Sequence, residues 1–557
     1  MKSKALKTKG FVISTLISAA FLFCISHVQG QSGYVKGDFH QHTTYTDGQW
    51  SFQHMMSQND AFGLDWWANS EHGGGWSRDA AVSGIDKGTT VYWDQYDPNP
   101  IIGDPGPLNY GHLPMWRWQI LKDYSFPQLL IARQNYPSKV IIQGYEWNVP
   151  GHEHGSVGNI DNQFGSNPNV NPLAEFEYKF DNSDIDINGG VSMGWTKSLL
   201  SGHAKTLEAI QWLQSNYPFS SWAIPAHPER QKKYTVSHFR DMNNAGPDVC
   251  FGFESMPGHQ RDPQRGSYGT NSDGGGTYGG VGTYAATIGG LWDAMLSEGR
   301  HWWLFASSDF HDLGGDFYPG EYQKTFTWVY NTENPASIVD GLRSGNSFVV
   351  EGDLIDVLEF EIHRGTGGIK AEMGETLKHG SNLQIKIKIQ DPSGNNNFGE
   401  NPVLNHFDLI MGDVNGFIDP LDPQYGVPSV GTSHVIARFD AVGGVTDANG
   451  ITSIPWTIDP QGNITVVYVM KALLGKHYFR LRGTNHTLNV SGETDANGNP
   501  LLDIPGQNNT NKAIHDLWFY SNPIFTERDP SVVPLNNLGI ILGGVMIALL
   551  FVLRRKF

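Results

Sequence analysis

Short apolar runs in the first 350 residues repeatedly end in a histidine or an acidic residue, and this pattern restricts the fold more than any other feature. The runs lie at residues 34–42, 64–72, 140–146, 222–227, 249–254 and 302–311. Stretches whose apolar residues recur three and four apart lie between them, at residues 115–136, 204–217 and 288–300. Strands alternating with helices predict an α/β domain, and a barrel of parallel strands would bring the strand ends to one rim. We therefore expect the polar residues to meet in a single active site.

The later part of the chain has a different pattern. Alternating segments at residues 383–389, 407–411, 464–470 and 477–482 are separated by turns rich in Gly, Asn, Asp and Pro. This spacing predicts an all-β sandwich at residues 351–527, after a hydrolase domain at residues 31–350. The turns at residues 391–397 and 495–499 suit calcium in composition, but they lack a full calcium-loop signature, and ordinary turn chemistry is favoured.

Both ends of the chain carry features of an exported protein. Lysines precede an apolar run at residues 11–25, and small and polar residues follow as far as residue 30. This order predicts a signal peptide at residues 1–30, with a retained membrane anchor as the alternative. Residues 528–557 contain an apolar stretch that ends in Arg554, Arg555 and Lys556. These predict a sorting or transmembrane tail, either retained or removed, that leaves the body of the protein periplasmic or on the cell surface.

Cysteine content and charge narrow the chemistry and the partners. Removal of the signal peptide would leave Cys250 as the sole cysteine, so the mature chain can form no internal disulfide. The net charge of −18 argues against an extended basic surface for nucleic acid, although it does not exclude short oligonucleotides or nucleotides. Extended nucleic acid is therefore not an expected partner.

The segment His40-Gln41-His42, followed by Asp47, is the strongest local signal of chemistry. Residues two apart on a strand face the same side, so the two imidazoles can reach one metal ion. Further candidate ligands follow the other apolar runs, namely His72, Glu146, His152, His154, His227, Asp309 and His311. Imidazole and carboxylate without thiolate suit zinc, manganese or iron. So many ligands exceed the capacity of one ion, which predicts a multi-metal site with a carboxylate such as Glu146 as the bridge.

These motifs resemble the polymerase and histidinol phosphatase (PHP) superfamily of metal-dependent phosphoesterases. The resemblance covers residues 37–316 and rests on the opening His-x-His with Asp-Gly, an acid-His pair, Gly-x-Glu, Ala-His-Pro and Ser-Asp-x-His. It implies a distorted TIM-like (β/α)7 barrel that holds three divalent metal ions. The second motif departs from the family, because Ser70-Glu71-His72 stands where Thr-Asp-His is usual, which affects Glu71 more than the ligand His72.

The resemblance also distributes the candidate ligands. It implies a first ion held by His40, His42, Glu146 and Asp309. It implies a second ion held by Glu146, His227 and either His152 or His154. His154 is favoured because a strand is expected to follow it. Asp47, His72 and His311 are left for a third ion.

Other residues are candidates for steps beyond metal binding. Arg230 follows the Ala-His-Pro motif and could clamp a phosphate, or it could be an ordinary surface arginine. Glu254 and His259 lie near the next strand end, where they could shuttle protons or form hydrogen bonds within loops.

A glycine-rich segment and several tryptophans leave alternatives open. Residues 266–290 suit a mobile lid or a flexible surface excursion. Trp66, Trp67, Trp76 and Trp147 could line an apolar or sugar-binding cleft, although core packing is the more frequent fate of such residues.

Together these features predict an exported metal-dependent phosphoesterase that hydrolyses a small-molecule phosphate ester with a metal-activated water. One alternative keeps the metals but hydrolyses an amide or a lactone, because related barrels perform several chemistries. Another is a surface protein whose sandwich binds a glycan and whose barrel has no activity. The full set of ligands disfavours this last alternative.

Overall fold

The structure is a computed structural model that describes residues 31–161, 170–268, 275–365, 368–380, 382–471, 473–503, 513–529 and 531. The predicted signal peptide lies outside the described residues, as does nearly all of the predicted C-terminal tail. No helix within the described ranges combines the length and the apolar content that a membrane crossing requires. Export and tethering therefore stay predictions.

Each apolar run that ends in a histidine or an acid forms a strand. The strands of residues 31–350 are β1 (Gly33–Asp38), β2 (Trp66–Asn69), β3 (Gly75–Trp76), β4 (Met115–Trp116), β5 (Val140–Asn148), β6 (His154–Asn159), β7 (Ser221–Pro225), β8 (Gly252–Met256), β9 (Thr277–Tyr278), β10 (Val281–Gly282), β11 (Trp303–Ala306), β12 (Lys324–Val329) and β13 (Ser347–Val350). The six predicted runs correspond to β1, β2, β5, β7, β8 and β11.

Helices lie between these strands, as the pattern predicts. They are α1 (Phe52–Ala61), α2 (Arg117–Gln119), α3 (Phe126–Asn135), α4 (Pro172–Phe180), α5 (Gly202–Asn216), α6 (Val236–Ala245), α7 (Thr283–Ala286), α8 (Leu291–Leu296) and α9 (Pro335–Ser344). A π-helical turn, Ile120–Ser125, joins α2 to α3. α8 is shorter than the predicted helix at 288–300, because Gly289 and Gly299 adopt φ of +76° and +74° at either side of it.

The later part of the chain forms strands almost exclusively. They are β14 (Val357–Arg364), β15 (Lys370–Glu372), β16 (Thr376–His379), β17 (Leu383–Gln390), β18 (His406–Asp413), β19 (His434–Asp440), β20 (Ile454–Pro455), β21 (Thr457–Ile458), β22 (Ile464–Met470), β23 (Lys476–Thr484), β24 (Trp518–Ser521) and β25 (Ile524–Arg528). β17 shows the expected alternation, because its Leu and Ile side chains are buried while the polar residues between them are partly exposed.

A large mixed sheet runs through both parts of the chain. Its strands lie in the order β20-β19-β18-β23-β24-β13-β12-β1-β2-β5-β6-β7. β1, β2 and β5 are parallel, whereas β6 is antiparallel to both β5 and β7. β13 pairs with β24, so the sheet continues from residues 31–350 into the later strands. The domain boundaries expected from the sequence stay predictions.

The predicted barrel of parallel strands is not closed by strand pairing among the described residues. β8 and β11 form a separate parallel pair. Isolated bridges connect this pair to the large sheet, because Ala226 pairs with Glu254, and Gln41 pairs with Phe310. The structure therefore shows a mixed α/β fold with a large sheet, and the isolated bridges bring the polar strand ends together.

Hydrophobic cores support the two parts of the chain. One core includes Trp66 and Trp147, each at most 1% exposed, and Trp67 is fully buried in a neighbouring cluster. Another core draws on both β17 and β23, with Ile385 and Leu481 among its members. Trp66, Trp67 and Trp147 thus follow the core-packing alternative.

The glycine-rich segment at residues 266–290 is described only in part, since residues 269–274 lie outside the described residues. Its later portion is packed against other parts of the chain, and Val281 is fully buried. Gly280 has φ of +76°, and a Cβ atom there would lie 1.6 Å from a Glu351 carboxylate oxygen. Glycine is therefore required at this close approach, and this portion does not behave as a surface excursion.

Arg265 is buried where this segment meets the later strands. Its guanidinium lies 2.7 Å from Asp516, 3.3 Å from Glu351 and 3.4 Å from Asp503. None of these four residues is more than 4% exposed. A cation surrounded by buried carboxylates holds the two parts of the chain together by charge.

Replacement Arg265→Ala is expected to destabilise the protein by about 3–5 kcal/mol, because it leaves buried carboxylates without their counter-charge. Urea unfolding followed by tryptophan fluorescence would measure this change in the free energy of unfolding.

Lys388→Ala is the control, because Lys388 forms an exposed ion pair with Glu359 at 3.1 Å. Its loss should change the stability by less than about 1 kcal/mol. Equal unfolding midpoints for the two variants would contradict a stabilising role for the buried arginine.

Candidate metal centre

Beyond β1, the chain presents two imidazoles to the same space. His40 and His42 are fully buried, and their ring centroids lie 5.3 Å apart. The side chain of Gln41, between them, accepts a hydrogen bond from the Asn59 amide at 2.8 Å. Successive side chains thus point in alternate directions, as they do along a strand, and the two imidazoles lie together as their spacing predicts.

Glu146, near the end of β5, is fully buried at the centre of the cluster. Its Oε1 atom lies 2.8 Å from His154 and 3.0 Å from His227. Its Oε2 atom lies 2.7 Å from His72 and 3.3 Å from His42. Each oxygen therefore faces its own set of imidazoles, which is the arrangement of a carboxylate able to bridge two ions.

Asp309 joins the cluster from the loop after β11. Its Oδ1 atom lies 3.1 Å from His40 and 3.2 Å from His42. Donor atoms of His40, His42, Glu146 and Asp309 all lie within 4.8 Å of one another. The structure thus brings together the set that the family resemblance assigns to a first ion.

The backbone is left-handed at His227 and Asp309, with φ of +30° and +43°, and at His259, with φ of +55°. Residues with a Cβ atom seldom adopt this conformation. Such strain costs about 1–3 kcal/mol and is found where surrounding contacts fix a functional geometry. At these positions it directs side chains from strand ends into the cluster.

Asp47, His72 and His311 lie on the more exposed side of the cluster. The Asp47 carboxylate lies 3.2 Å from His72 and 3.3 Å from His311, and its side chain is 35% exposed. Together with His42 these residues form a second group whose donor atoms lie within 4.8 Å of one another. This group matches the set implied for a third ion and faces solvent.

His154, rather than His152, belongs to the cluster. β6 begins at His154, which contacts Glu146 and forms a further group with His72 and Glu146. His152 instead stacks on Tyr234, with ring centroids 4.8 Å apart. Gly151, with φ of +81°, turns the chain just before the strand, so the two histidines do not share a strand face. The structure therefore places His152 outside this centre, which corrects its prediction as an alternative ligand.

Glu254 and His259, expected either to shuttle protons or to bond within loops, both contact candidate ligands. Glu254 lies 2.8 Å from the Nδ1 atom of His40, whereas Glu146 faces the Nε2 atom of the same ring. His259 Nε2 lies 3.0 Å from Asp309. A carboxylate on the far nitrogen fixes the tautomer and the orientation of a metal-binding histidine. The contact with His40 gives Glu254 a positioning role.

Arg230 lies at the edge of the cluster and not on the open surface. Its Nη2 atom lies 2.7 Å from His227, and its Nη1 atom lies 3.9 Å from Asp309. Its Nε atom donates to Glu153 at 3.2 Å. The side chain is 19% exposed, so an anchored guanidinium reaches solvent beside the candidate ligands.

The ionisable groups of the cluster shift one another's pKa values strongly. Burial alone would raise the pKa of Glu146, but the surrounding imidazoles, His154 first, hold that pKa well below its ordinary value. Burial alone would lower the pKa of His40, but the carboxylates around it, Asp309 first, raise that pKa well above its ordinary value. Burial and nearby His311 lower the pKa of His42 to about 3. The lowered pKa of Glu146 favours its ionised form, which requires positive charge close by.

The donor atoms fit divalent metal ions. Several buried nitrogen and oxygen atoms that could bind a metal ion have no partner in hydrogen-bond geometry among the described residues. They are His40 Nε2, Asp47 Oδ1, His72 Nδ1, Glu146 Oε2 and Asp309 Oδ2. His72 Nδ1 and Glu146 Oε2 lie 2.7 Å apart without forming a hydrogen bond. Unpaired buried polar atoms are costly, and ions between them would satisfy them. Cys250, the cysteine within the described residues, is fully buried in the hydrophobic core, so it offers no thiolate to this cluster.

A cleft of about 560 Å³ opens beside the cluster. His72 and His154 contribute to its lining together with Trp76, Trp116 and Asn148. The Trp76 ring stacks on His72, with centroids 5.7 Å apart and planes inclined by 12°. Of the four tryptophans considered from the sequence, Trp76 thus follows the cleft-lining alternative.

Asp38 and Asp316 are acidic residues of the site that, like Glu153, were not predicted. Asp38 accepts hydrogen bonds from the backbone N–H of His40 at 3.1 Å and of Ser308 at 2.7 Å, and burial raises its pKa to about 7. Asp316 contacts His259 and accepts the backbone N–H of His311. Each lies a few residues from a predicted motif, and this closeness in sequence could have indicated a place in the site.

No family model matches the chain, and no curated protein matches it either. Among solved structures, the chain is similar to a crystal structure of a two-domain protein containing a predicted PHP-like metal-dependent phosphoesterase from Bacteroides vulgatus. The two chains are 12% identical with a TM-score of 0.33, and the match covers 85% of this chain and 94% of the other. A likeness this distant carries no weight for function, and metal binding is inferred from the geometry of the cluster.

Replacement Glu146→Gln is expected to lower the bound metal by at least about one ion per chain, because an amide cannot bridge two cations as a carboxylate does. Inductively coupled plasma mass spectrometry of protein dialysed against manganese or zinc would measure the metal content.

Glu229→Gln is the matched control. Glu229 is also fully buried, but it accepts hydrogen bonds from the Tyr268 hydroxyl at 2.8 Å and the Tyr284 backbone N–H at 3.2 Å. This variant should keep the wild-type metal content. An unchanged content in Glu146→Gln would exclude Glu146 as a ligand.

Proposed function

We propose that the protein is an exported, metal-dependent phosphoesterase of the PHP type. The observation that carries the proposal is the position of Glu146, whose Oε1 atom faces three imidazoles and whose Oε2 atom faces two others, at 2.7–3.3 Å. A carboxylate shared in this way belongs to a multinuclear centre. Multinuclear centres are suited to phosphate-ester hydrolysis, in which charge develops on both the attacking and the leaving oxygen.

Three divalent ions would be held by three neighbouring ligand sets, of which the first two share Glu146. The first set is His40, His42, Glu146 and Asp309, the second is Glu146, His154 and His227, and the third is Asp47, His72 and His311. Zinc, manganese or iron suits these donors. Such ions, when bound, supply Lewis acidity that acidifies a water molecule and offsets phosphoryl charge.

Arg230 would bind the phosphoryl group. Its guanidinium is fixed by Glu153 at 3.2 Å and extends toward His227 and Asp309. The planar fork of an arginine matches two phosphoryl oxygens, which a lysine cannot do. His259, held between Asp309 and Asp316, would keep a proton at the edge of the site for the leaving oxygen.

The substrate would be a small phosphate ester. The cleft of about 560 Å³ has room for a compact organic group, and the partly exposed Trp76 offers a flat apolar surface for it. The net charge of −18 disfavours extended nucleic acid.

The finer fold and the location are part of the same proposal. The bridges Ala226–Glu254 and Gln41–Phe310 support a distorted barrel of seven strands, completed by β8 and β11. The lysine-rich start and the basic C-terminus support export, with the body of the protein periplasmic or at the cell surface. The sandwich at residues 351–527 would be a separate domain.

Purified protein is expected to hydrolyse p-nitrophenyl phosphate or bis(p-nitrophenyl) phosphate. Chelation should abolish the activity, and added manganese or zinc should restore it, because the carboxylates and imidazoles alone do not acidify water sufficiently. Absorbance of released nitrophenolate measures the rate.

Matched p-nitroanilide and lactone substrates separate the alternative hydrolase chemistry. Metal-dependent turnover of these compounds without turnover of either phosphate ester would contradict the proposed reaction.

Arg230→Ala should lower kcat/KM for phosphate esters about 10²–10³-fold, because a donor to the developing charge is lost. Arg230→Lys should recover only part of this loss, since it restores charge without the fork. Steady-state kinetics on metal-loaded protein measures both.

Lys233→Ala is the control, since the Lys233 ammonium also pairs with Glu153, at 3.2 Å, but is 44% exposed. It should leave kcat/KM near the wild-type value. Equal losses in Arg230→Ala and Lys233→Ala would show that Arg230 acts only by anchoring Glu153.

A further inference from the structure

Three histidines form a cluster that the proposed catalytic centre does not use. His152 lies in the loop between β5 and β6, His203 in the first turn of α5, and His238 in the first turn of α6. One ring nitrogen from each lies within 4.8 Å of the other two. Their ring centroids are 4.5–5.0 Å apart. Segments far apart in sequence thus bring three imidazoles to one point.

The partners of His152 and His203 aim one nitrogen of each ring at that point. The Nδ1 atom of His152 lies 3.2 Å from the Lys233 carbonyl oxygen, so it carries the proton and donates. The Nε2 atom of His203 lies 3.2 Å from the Asp241 carboxylate and donates in the same way. The remaining nitrogens, His152 Nε2 and His203 Nδ1, face each other at 2.8 Å. A carbonyl or carboxylate on the far nitrogen is the usual support of a metal-binding histidine.

Two lone pairs directed at each other repel unless a proton or a metal ion lies between them. A zinc ion needs Zn–N distances of about 2.0–2.1 Å, and tetrahedral geometry then separates two ligand nitrogens by about 3.3 Å. Small outward movements of the two rings provide this space. His238 supplies the third imidazole, although its Nδ1 atom now accepts the Thr235 backbone N–H at 3.2 Å, a contact that metal binding through Nδ1 would replace.

An ion could reach this cluster from solvent, and once bound it would connect three segments of the chain. His203 and Asp241 have side chains 25% and 31% exposed. Tyr234, stacked on His152, donates its hydroxyl proton to the His154 carbonyl at 2.9 Å. An ion at the cluster would therefore fasten the loop that carries His154 to the start of α5 and of α6.

We propose that His152, His203 and His238 form a second, mononuclear site for zinc or a similar imidazole-binding ion, with an open position for water. This site is separate from the Glu146 centre and stabilises the loop of residues 151–155. It does not depend on the proposed reaction, because none of its three ligands belongs to the catalytic sets.

Zinc content after equilibrium dialysis tests the site. His203→Ala and His238→Ala should each bind about one zinc per chain less than the wild type. His112→Ala is the matched control, because His112 also pairs with a carboxylate, Asp94 at 2.9 Å, and is 29% exposed. It should bind as much zinc as the wild type. Wild-type zinc content in both His203→Ala and His238→Ala would overturn the proposal.

Anomalous diffraction at the zinc edge tests the wild-type protein without any substitution. The proposal predicts a peak about 2.1 Å from both His152 Nε2 and His203 Nδ1. Peaks around Glu146 with none at the three histidines would overturn the second site while leaving the catalytic proposal intact. A peak at the three histidines with none around Glu146 would support the second site and overturn the catalytic proposal.

Discussion

The burial of the Glu146 carboxylate among imidazoles is the interaction on which the rest of the site depends. Glu146 is fully buried, and five histidines lie within 3.3 Å of its oxygens, namely His40, His42, His72, His154 and His227. A buried charge is costly unless opposite charge and directed donors compensate it. Here the donors converge on shared points and many do not bond to one another, so cations are the natural compensation.

The fold serves this requirement by placing strand ends together and bending the chain just beyond them. The bridge between Gln41 and Phe310 joins the end of β1 to the loop after β11. Asp38 reinforces the same junction by accepting backbone N–H groups from His40 and Ser308. Left-handed backbone at His227 and Asp309 then turns their side chains inward. The packed core beneath these residues stabilises their strained backbone conformation.

Local patterns in the sequence predicted much of the site, because ligand spacing on a strand is a local property. The two-residue spacing of His40 and His42 was sufficient to place both rings in one cluster. Of the pair His152 and His154, only His154 lies in the cluster, because the strand begins at His154, after a turn at Gly151. The lack of closure between β7 and β8 depends on pairing between distant segments, which apolar runs do not encode. The cluster of His152, His203 and His238 was not predicted for the same reason, since its members come from a loop and two helices that are distant in the sequence.

Glu146 is proposed to join metal ions into one centre. Electron paramagnetic resonance of protein fully loaded with manganese measures this directly, because ions that share a carboxylate couple their spins. The wild-type protein is expected to give the broadened, multi-line spectrum of exchange-coupled manganese, and Glu146→Gln is expected to give the spectrum of isolated ions. A fully loaded wild-type protein that shows only the six-line spectrum of isolated manganese would contradict the bridging role of Glu146.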